Sequence, residues 1–381
     1  MKLKMDAKLL TEMVSTAAQA ISSKPMLPAY ECLYIRVTSE SGSPIMSVMG
    51  KDTGMAIMKT TDKIVAMEDG EALVPAKTLL AFMKLMNGEL TLNADGKKCQ
   101  IKCGGKNTTI ACMDVEDYSS DFTALTNEKC VKMDGDAFSQ MVESVIHCID
   151  ESSGRVILTG VNFAFSGSEG KCEATGLDGF RMAIAARKAE TNDDFNVTIP
   201  ASASKLIAKT INGGKDVSFR FGNGVVIVDD YDTSIEASML AGEYMDTKRL
   251  KVTDGKMQVR VNVPDMMEAV KLARISSSTG AKDLILLNFE KPGMMRVTAN
   301  SEKSQAVTDV YCDVNGEMGD GSVKEIAFNG RYVEEALKVS ADYAGEATLL
   351  INTTVSPMAV LPIDRDDYYQ LVLPVRRLGK D

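Results

Sequence analysis

Three stretches of this chain open in the same way, and that repetition limits the fold more than any other feature. Asp6-Ala7-Lys8-Leu9-Leu10-Thr11-Glu12-Met13-Val14 runs on to Ile21 with apolar residues at helical spacing. Asp136-Ala137-Phe138-Ser139-Gln140-Met141-Val142 runs on to Ile149, and Pro264-Asp265-Met266-Met267-Glu268-Ala269-Val270 runs on to Ile275. Each opens near an aspartate, which suits an N-cap or first-turn acid, because a helix begins with unpaired N–H groups. A polar turn follows each, then a strand-like run at residues 32–37, 156–161 and 284–289.

A second helical pattern recurs at residues 74–86, 199–211 and 328–339. Pro75 and Pro200 stand where a proline at the first helical position is favoured. Lys84, Lys209 and Lys338 are spaced by 125 and 129 residues, and one third of 381 is 127. Hairpin signals close each third: Asp95-Gly96 after Leu90-Thr91-Leu92-Asn93, Asn223-Gly224 after Val217-Ser218-Phe219-Arg220, and Thr353-Thr354 after Thr348-Leu349-Leu350-Ile351. Each third therefore reads helix, strands, helix, strands. That makes an α+β chain of three tandem domains, at 1–125, 126–250 and 251–381. The period is far above that of a solenoid, so each copy can hold its own core.

The chain carries 53 acidic and 43 basic residues, a net charge of −10, which argues against a general nucleic-acid coat but leaves room for one basic face. No apolar run approaches the roughly 18 residues of a membrane span, and no signal peptide is apparent, so the expected location is the cytoplasm. The eight cysteines include no C-x-x-C pair, and Cys99 and Cys103 alternate along one strand face. Buried thiols and a zinc site with Cys112 are the two readings, and the spacing favours the first. The one histidine, His147, lies in a helical run. Nucleophile elbow, zincin, P-loop and dinucleotide-binding motifs are all missing, and Gly104-Gly105-Lys106-Asn107 reads as a hairpin turn. No catalytic centre, cofactor or metal is implied.

Charge on the second helices stands out. Residues 72–88 and 195–215 hold no Asp or Glu, although 38 residues of average composition here would hold about five. Lys77, Ala81 and Lys84 share one helical face, opposite Leu79, Leu80, Met83 and Met86; Ser202, Lys205, Lys209 and Asn212 form the matching face in the second third. The third helix mixes Arg331 and Lys338 with Glu334 and Glu335. These faces are either solvated surface or one concave surface turned to a polyanion. An enzyme using Cys or Lys chemistry and a scaffold for proteins alone remain alternatives at this point.

Five motifs in order bring in a family. Lys24-Pro25-Met26-Leu27-Pro28, Val74-Pro75-Ala76-Lys77, the run Ala174-Thr175-Gly176-Leu177-Asp178-Gly179-Phe180-Arg181-Met182-Ala183, Gly242-Glu243-Tyr244-Met245-Asp246 and Gln370-Leu371-Val372-Leu373-Pro374-Val375-Arg376 resemble segments of the bacterial sliding clamp, the beta subunit of DNA polymerase III. The resemblance covers essentially the whole chain. It implies a ring-forming head-to-tail homodimer with helices inside and sheets outside. Such a ring encircles double-stranded DNA without sequence preference and tethers the replicative DNA polymerase catalytic subunit. The clamp loader and other clamp-motif proteins would share it, and it would catalyse nothing. The resemblance places Lys24, Lys77, Lys84, Lys205, Lys209, Arg331 and Lys338 toward DNA. It places a partner-peptide pocket at Leu158, Leu177, Gly179, Phe180, Arg181, Met182, Met245, Arg249, Leu250, Val355, Pro357, Leu371, Leu373, Pro374, Val375 and Arg376. Family geometry alone points to residues 86–109 and 265–279 as the dimer edges.

The chain departs from the family pattern at three lining positions. Phe180 stands for a histidine, Leu177 for a threonine and Met245 for a proline, which implies a more apolar pocket. The chain also runs on past Arg376 as Arg377-Leu378-Gly379-Lys380-Asp381, a candidate cover for that pocket.

Overall fold

A computed structural model of the chain describes residues 1–39, 43–211, 216–277, 283–317 and 325–376. Among these are six α-helices, two in each repeat: α1 (Ala7–Ala17), α2 (Ala76–Met83), α3 (Gly135–Val145), α4 (Ala201–Thr210), α5 (Val263–Ser277) and α6 (Gly330–Tyr343). No helix among the described residues is long and apolar enough to cross a membrane. Asn212 and residues 377–381 lie outside the described residues.

Each repeat opens with a strand, not with the helix expected from sequence: Lys2–Asp6, Lys129–Asp134 and Met257–Asn262. In the first, only Leu3 and Met5 alternate into the core, too few positions to give a period-2 pattern. The strand ends on the helix cap. Asp6 accepts the N–H groups of Lys8 and Leu9, Asp134 that of Ala137, and Asn262 that of Asp265. Asp136 is thus a first-turn acid, not the cap. Pro75 and Pro200 occupy the N-cap positions of α2 and α4, at the last position of a strand and one residue before the first helical position expected, with no side-chain cap bond.

Residues 156–161 also differ from expectation. Val156–Thr159 is a 3-10 turn, closed by the Thr159 hydroxyl on the Val156 carbonyl at 2.7 Å, and the strand begins at Gly160. Gly160 is required there, because a Cβ would sit 2.4 Å from the Ile199 carbonyl oxygen. Pro28–Glu31 makes the same turn before Cys32–Thr38.

Three large apolar clusters form the cores, one centred in each repeat. Cys99, Ile101 and Cys103 point into the first. Burial pushes the Cys99 thiol up to about 12, and Cys32 and Cys112 to about 11, so these thiols stay protonated at neutral pH.

The repeats join edge to edge by one rule. Met55–Thr61 of the first pairs with Thr233–Ser238, the last strand of the second. Arg181–Lys188 of the second pairs with Tyr368–Val372, the last strand of the third. At the first seam the buried ammonium of Lys59 lies 3.1 Å from Asp232 and 3.4 Å from Glu12. At the second, Gln370 donates to the Ala336 carbonyl at 2.7 Å and to Ser340 Oγ at 2.9 Å, while Arg187 meets Asp367 at 2.8 Å. Lys59, Gln370 and Arg187 are thereby paired, as burial demands.

Candidate partner groove and basic helix faces

At the second seam a small apolar cluster stands apart from the cores: Leu158, Leu177, Met182, Ile184 and Leu371, with Ile157, Tyr244 and Tyr369 packed against it. The fold explains the meeting. Leu158 comes from the 3-10 turn, Leu177 ends the strand Lys171–Leu177, and Met182 pairs across the seam with Leu371. Sequence motifs find four of these eight. They do not assign Ile157, Ile184, Tyr244 and Tyr369 to the pocket: Tyr244 lies within a quoted motif, and the other three are only next to an assigned or motif residue. Tyr244, one position before Met245, is the linker residue that packs inward, while Met245 is exposed.

Large apolar side chains also stand in water on the segments that surround this cluster. Val156, Phe180 and Val355 are 63%, 60% and 62% exposed. Leu250 is exposed as well, Arg249 projects into solvent, and Leu373, Pro374, Val375 and Pro357 are half-buried beside exposed Arg376. Apolar side chains left in water beside an apolar floor mark a docking surface. Gly179, at φ +87°, turns the chain so that Phe180 projects outward.

Arg181 is the charged lining residue that is buried: it is 4% exposed, while Arg249 and Arg376 are exposed, and it faces the seam. Its Nε donates to Asp178 at 2.9 Å, its Nη1 donates to Glu335, and its guanidinium lies 4.3 Å from the Tyr332 ring centre. It supports the groove wall from behind. His147 lies in the same seam, its Nε2 3.2 Å from the Cys148 sulfur and its Nδ1 sealed without a partner. Burial, then the Arg181 charge, holds His147 down at about 4. Below pH 6.5 the unfolded chain takes up this proton and the folded chain does not until about pH 4. Stability therefore falls as pH drops through that window, by at most roughly 3 kcal/mol. In His147→Gln the loss of melting temperature between pH 7 and pH 4.5 should shrink; equal losses in both proteins would remove His147 from the balance.

The first seam has a counterpart surface, and there the chain fills it. Tyr118, from the linker between repeats, is buried among Ala29, Cys32, Tyr34, Met49, Ala56 and Leu73. Its ring stacks on Tyr34 at 5.6 Å and meets Tyr30 edge-on at 5.8 Å. The corresponding linker residues at the second seam leave apolar surface uncovered.

The basic residues lie as their helical spacing requires. Lys77 and Lys84 on or beside α2, Lys205 and Lys209 on α4, and Arg331 and Lys338 on α6 are all exposed, while Leu79, Met83, Ile207, Val333 and Leu337 are buried on the opposite side. Two are ion-paired: Lys205 with Glu151 at 2.6 Å and Arg331 with Glu335 at 3.1 Å. Lys24 sits in an exposed loop beside Met26.

The fold is that of the DNA clamps. A DNA polymerase sliding clamp from Bacillus subtilis superposes with a TM-score of 0.91 at 20% identity, covering 99% of both chains. The beta subunit from the DNA polymerase of Streptococcus pyogenes does so with 0.91 at 20%, covering 99% of this chain and 100% of that one. The beta sliding clamp of Bacillus subtilis is 23% identical over 396 aligned positions, spanning 99% of this chain and 100% of that protein. Residues 1–121 match the N-terminal domain of the DNA polymerase III beta subunit and residues 132–246 match its central domain, together well over half of the chain. The chain belongs to the DNA polymerase III beta subunit family, the beta sliding clamps. Its role is that of a replication processivity factor, an accessory subunit and not itself a polymerase.

Proposed function

We propose that two copies of this chain close head to tail into a ring that encircles duplex DNA, with domains divided at 125/126 and 250/251. The pairing rule carries the reading. It joins repeat one to two and two to three, and it leaves one strand of each kind over. Among the described residues, 305–311 pair on one side only, with Met294–Asn300, and Lys106–Ala111 pairs only with Lys98–Cys103. Applied once more, the rule joins repeat three to repeat one of a second copy, and a two-fold axis then closes six domains.

The side chains beside these edges support it. A cleft between α5 and the strand Gln305–Gly316 is lined by Leu272, Ile275 and Tyr311 with three carboxylates, Asp265, Glu268 and Asp309, against one ammonium, Lys271. The other edge presents exposed Leu85, Lys98, Lys102 and Lys106, with Lys106 donating to the Leu85 carbonyl. One side is acidic and apolar, the other basic and apolar.

In this ring Lys24, Lys77, Lys84, Lys205, Lys209, Arg331 and Lys338 face the DNA. Long, exposed basic side chains attract phosphates without reading bases, which suits sliding. Closure, not contact energy, retains the ring. The groove at the second seam takes short peptides with hydrophobic anchors, from the polymerase catalytic subunit, the clamp loader and other clamp-motif proteins.

Retention on DNA tests the ring directly. After loading on nicked circular duplex, the protein should stay with the DNA at high salt and leave when the circle is cut; equal loss from circle and line would overturn the reading. Reversing two charges, Lys84→Glu and Lys209→Glu, should lower the slope of log affinity against log salt by about 2 per chain in binding to short duplex. An unchanged slope would place these lysines away from DNA.

A further inference from the structure

We propose that Glu335 couples DNA binding to the partner groove, making Glu335 and Tyr332 positioning residues for a surface to which neither was assigned. The inference rests on the proposed roles of Arg331 and of the groove. The helix α6 carries two faces. Arg331 and Lys338 are exposed, while Tyr332 and Glu335 turn toward the second repeat. The Glu335 carboxylate is divided between two cations. One oxygen accepts from Arg331 Nε at 3.1 Å, and the other accepts from Nη1 of the buried Arg181.

Arg181 leads from there to the groove wall. Its other carboxylate partner is Asp178, whose Oδ1 accepts the N–H groups of Phe180 at 2.9 Å and Arg181 at 3.0 Å. The Phe180 carbonyl in turn accepts the N–H of Leu373 at 2.8 Å, which joins the wall to the C-terminal segment. The Phe180 ring stacks near Tyr332 with centres 6.4 Å apart, and the Arg181 guanidinium lies over that same Tyr332 ring. Every link from Arg331 to Phe180 is therefore an ion pair, a hydrogen bond or a ring contact.

The sign follows from competition. A buried guanidinium depends on its counter-charges far more than an exposed one does. When a phosphate takes Arg331, Glu335 is left to Arg181 alone. The Asp178–Arg181 turn is then held more firmly against Tyr332, and the groove is better formed before a peptide arrives. DNA in the ring should tighten peptide binding, and by linkage a bound peptide should tighten the hold on DNA.

The test measures a fluorescent peptide carrying a glutamine and hydrophobic anchors, bound to free ring and to ring loaded on nicked circular duplex. The parent is expected to bind about fivefold more tightly on DNA, the lower end of typical coupling. Arg331→Ala, an exposed substitution, should give the free ring that tighter affinity without DNA. Glu335→Gln keeps a hydrogen bond to Arg181 but removes the shared charge, and should bind peptide equally with and without DNA. Equal affinities in the parent, or an Arg331→Ala ring that binds as the free parent does, would overturn the coupling while leaving ring and groove intact. A parent that binds no peptide, or is not retained on circles, would overturn the functional reading beneath it and the coupling with it.

Discussion

Leu272→Ala with Ile275→Ala should turn the ring into separate chains of 41.1 kDa. The two side chains are 48% and 70% exposed on α5, in a cleft that also holds Tyr311, itself 75% exposed. Apolar groups this exposed add little to the fold of a single chain. Against Leu85 of a second copy, burying the area still exposed would contribute about 1–2 kcal/mol for each. Alanine introduces no charge beside Asp265 and Glu268, so the loss reports on packing alone. A head-to-tail dimer contains the interface twice, and both copies are weakened in every ring. The summed loss is about 4–8 kcal/mol, enough to carry a nanomolar dimer to micromolar concentrations or beyond. Light scattering at micromolar protein should give the single-chain mass, with an unchanged melting curve for the chain itself. A variant that kept twice that mass would place the interface elsewhere. The acidic cleft and the lysine-bearing edge add a salt dependence: the parent dimer should weaken as ionic strength rises.

The threefold plan was legible because amphipathic helices recur at one third of the chain, with Asx-Gly hairpins in the first two thirds, and each carries a local physical signal. The opening strands were not legible, because Leu3 and Met5 make too short an alternation beside a long helical pattern. Residues 156–161 read as a strand by alternation, but Val156–Thr159 fold as a 3-10 turn and the strand starts at Gly160, where the Ile199 carbonyl leaves no room for a Cβ. The groove shows the same division. Its motif residues could be named, yet Ile184 and Tyr369 join it only because two distant strands pair across a seam, a pairing with no local signal. Arg181 shows the limit most sharply. A motif marks the position, but the buried setting of its side chain is completed by the third repeat, which supplies Tyr332 and Glu335 beside the local Asp178.

Removing the ring of Phe180 should cost the groove about tenfold in peptide affinity, with little change in folding. Phe180 is 60% exposed, so Phe180→Ala deletes a wall rather than a piece of core. Exposed aromatic anchors beside a dry floor carry a disproportionate share of binding energy, about 1–2 kcal/mol or more each. Met182→Ala provides the contrast. Met182 is fully buried in the floor, so its truncation leaves a cavity and should cost about 2–5 kcal/mol of stability as well as affinity. The two variants together separate a contact from a support. Binding is measured with the fluorescent peptide and folding by thermal melt. Phe180→Ala should move the first and spare the second, and Met182→Ala should move both. If Phe180→Ala bound as tightly as the parent, the peptide would lie on the Val355 and Leu250 side of the floor, away from Tyr332.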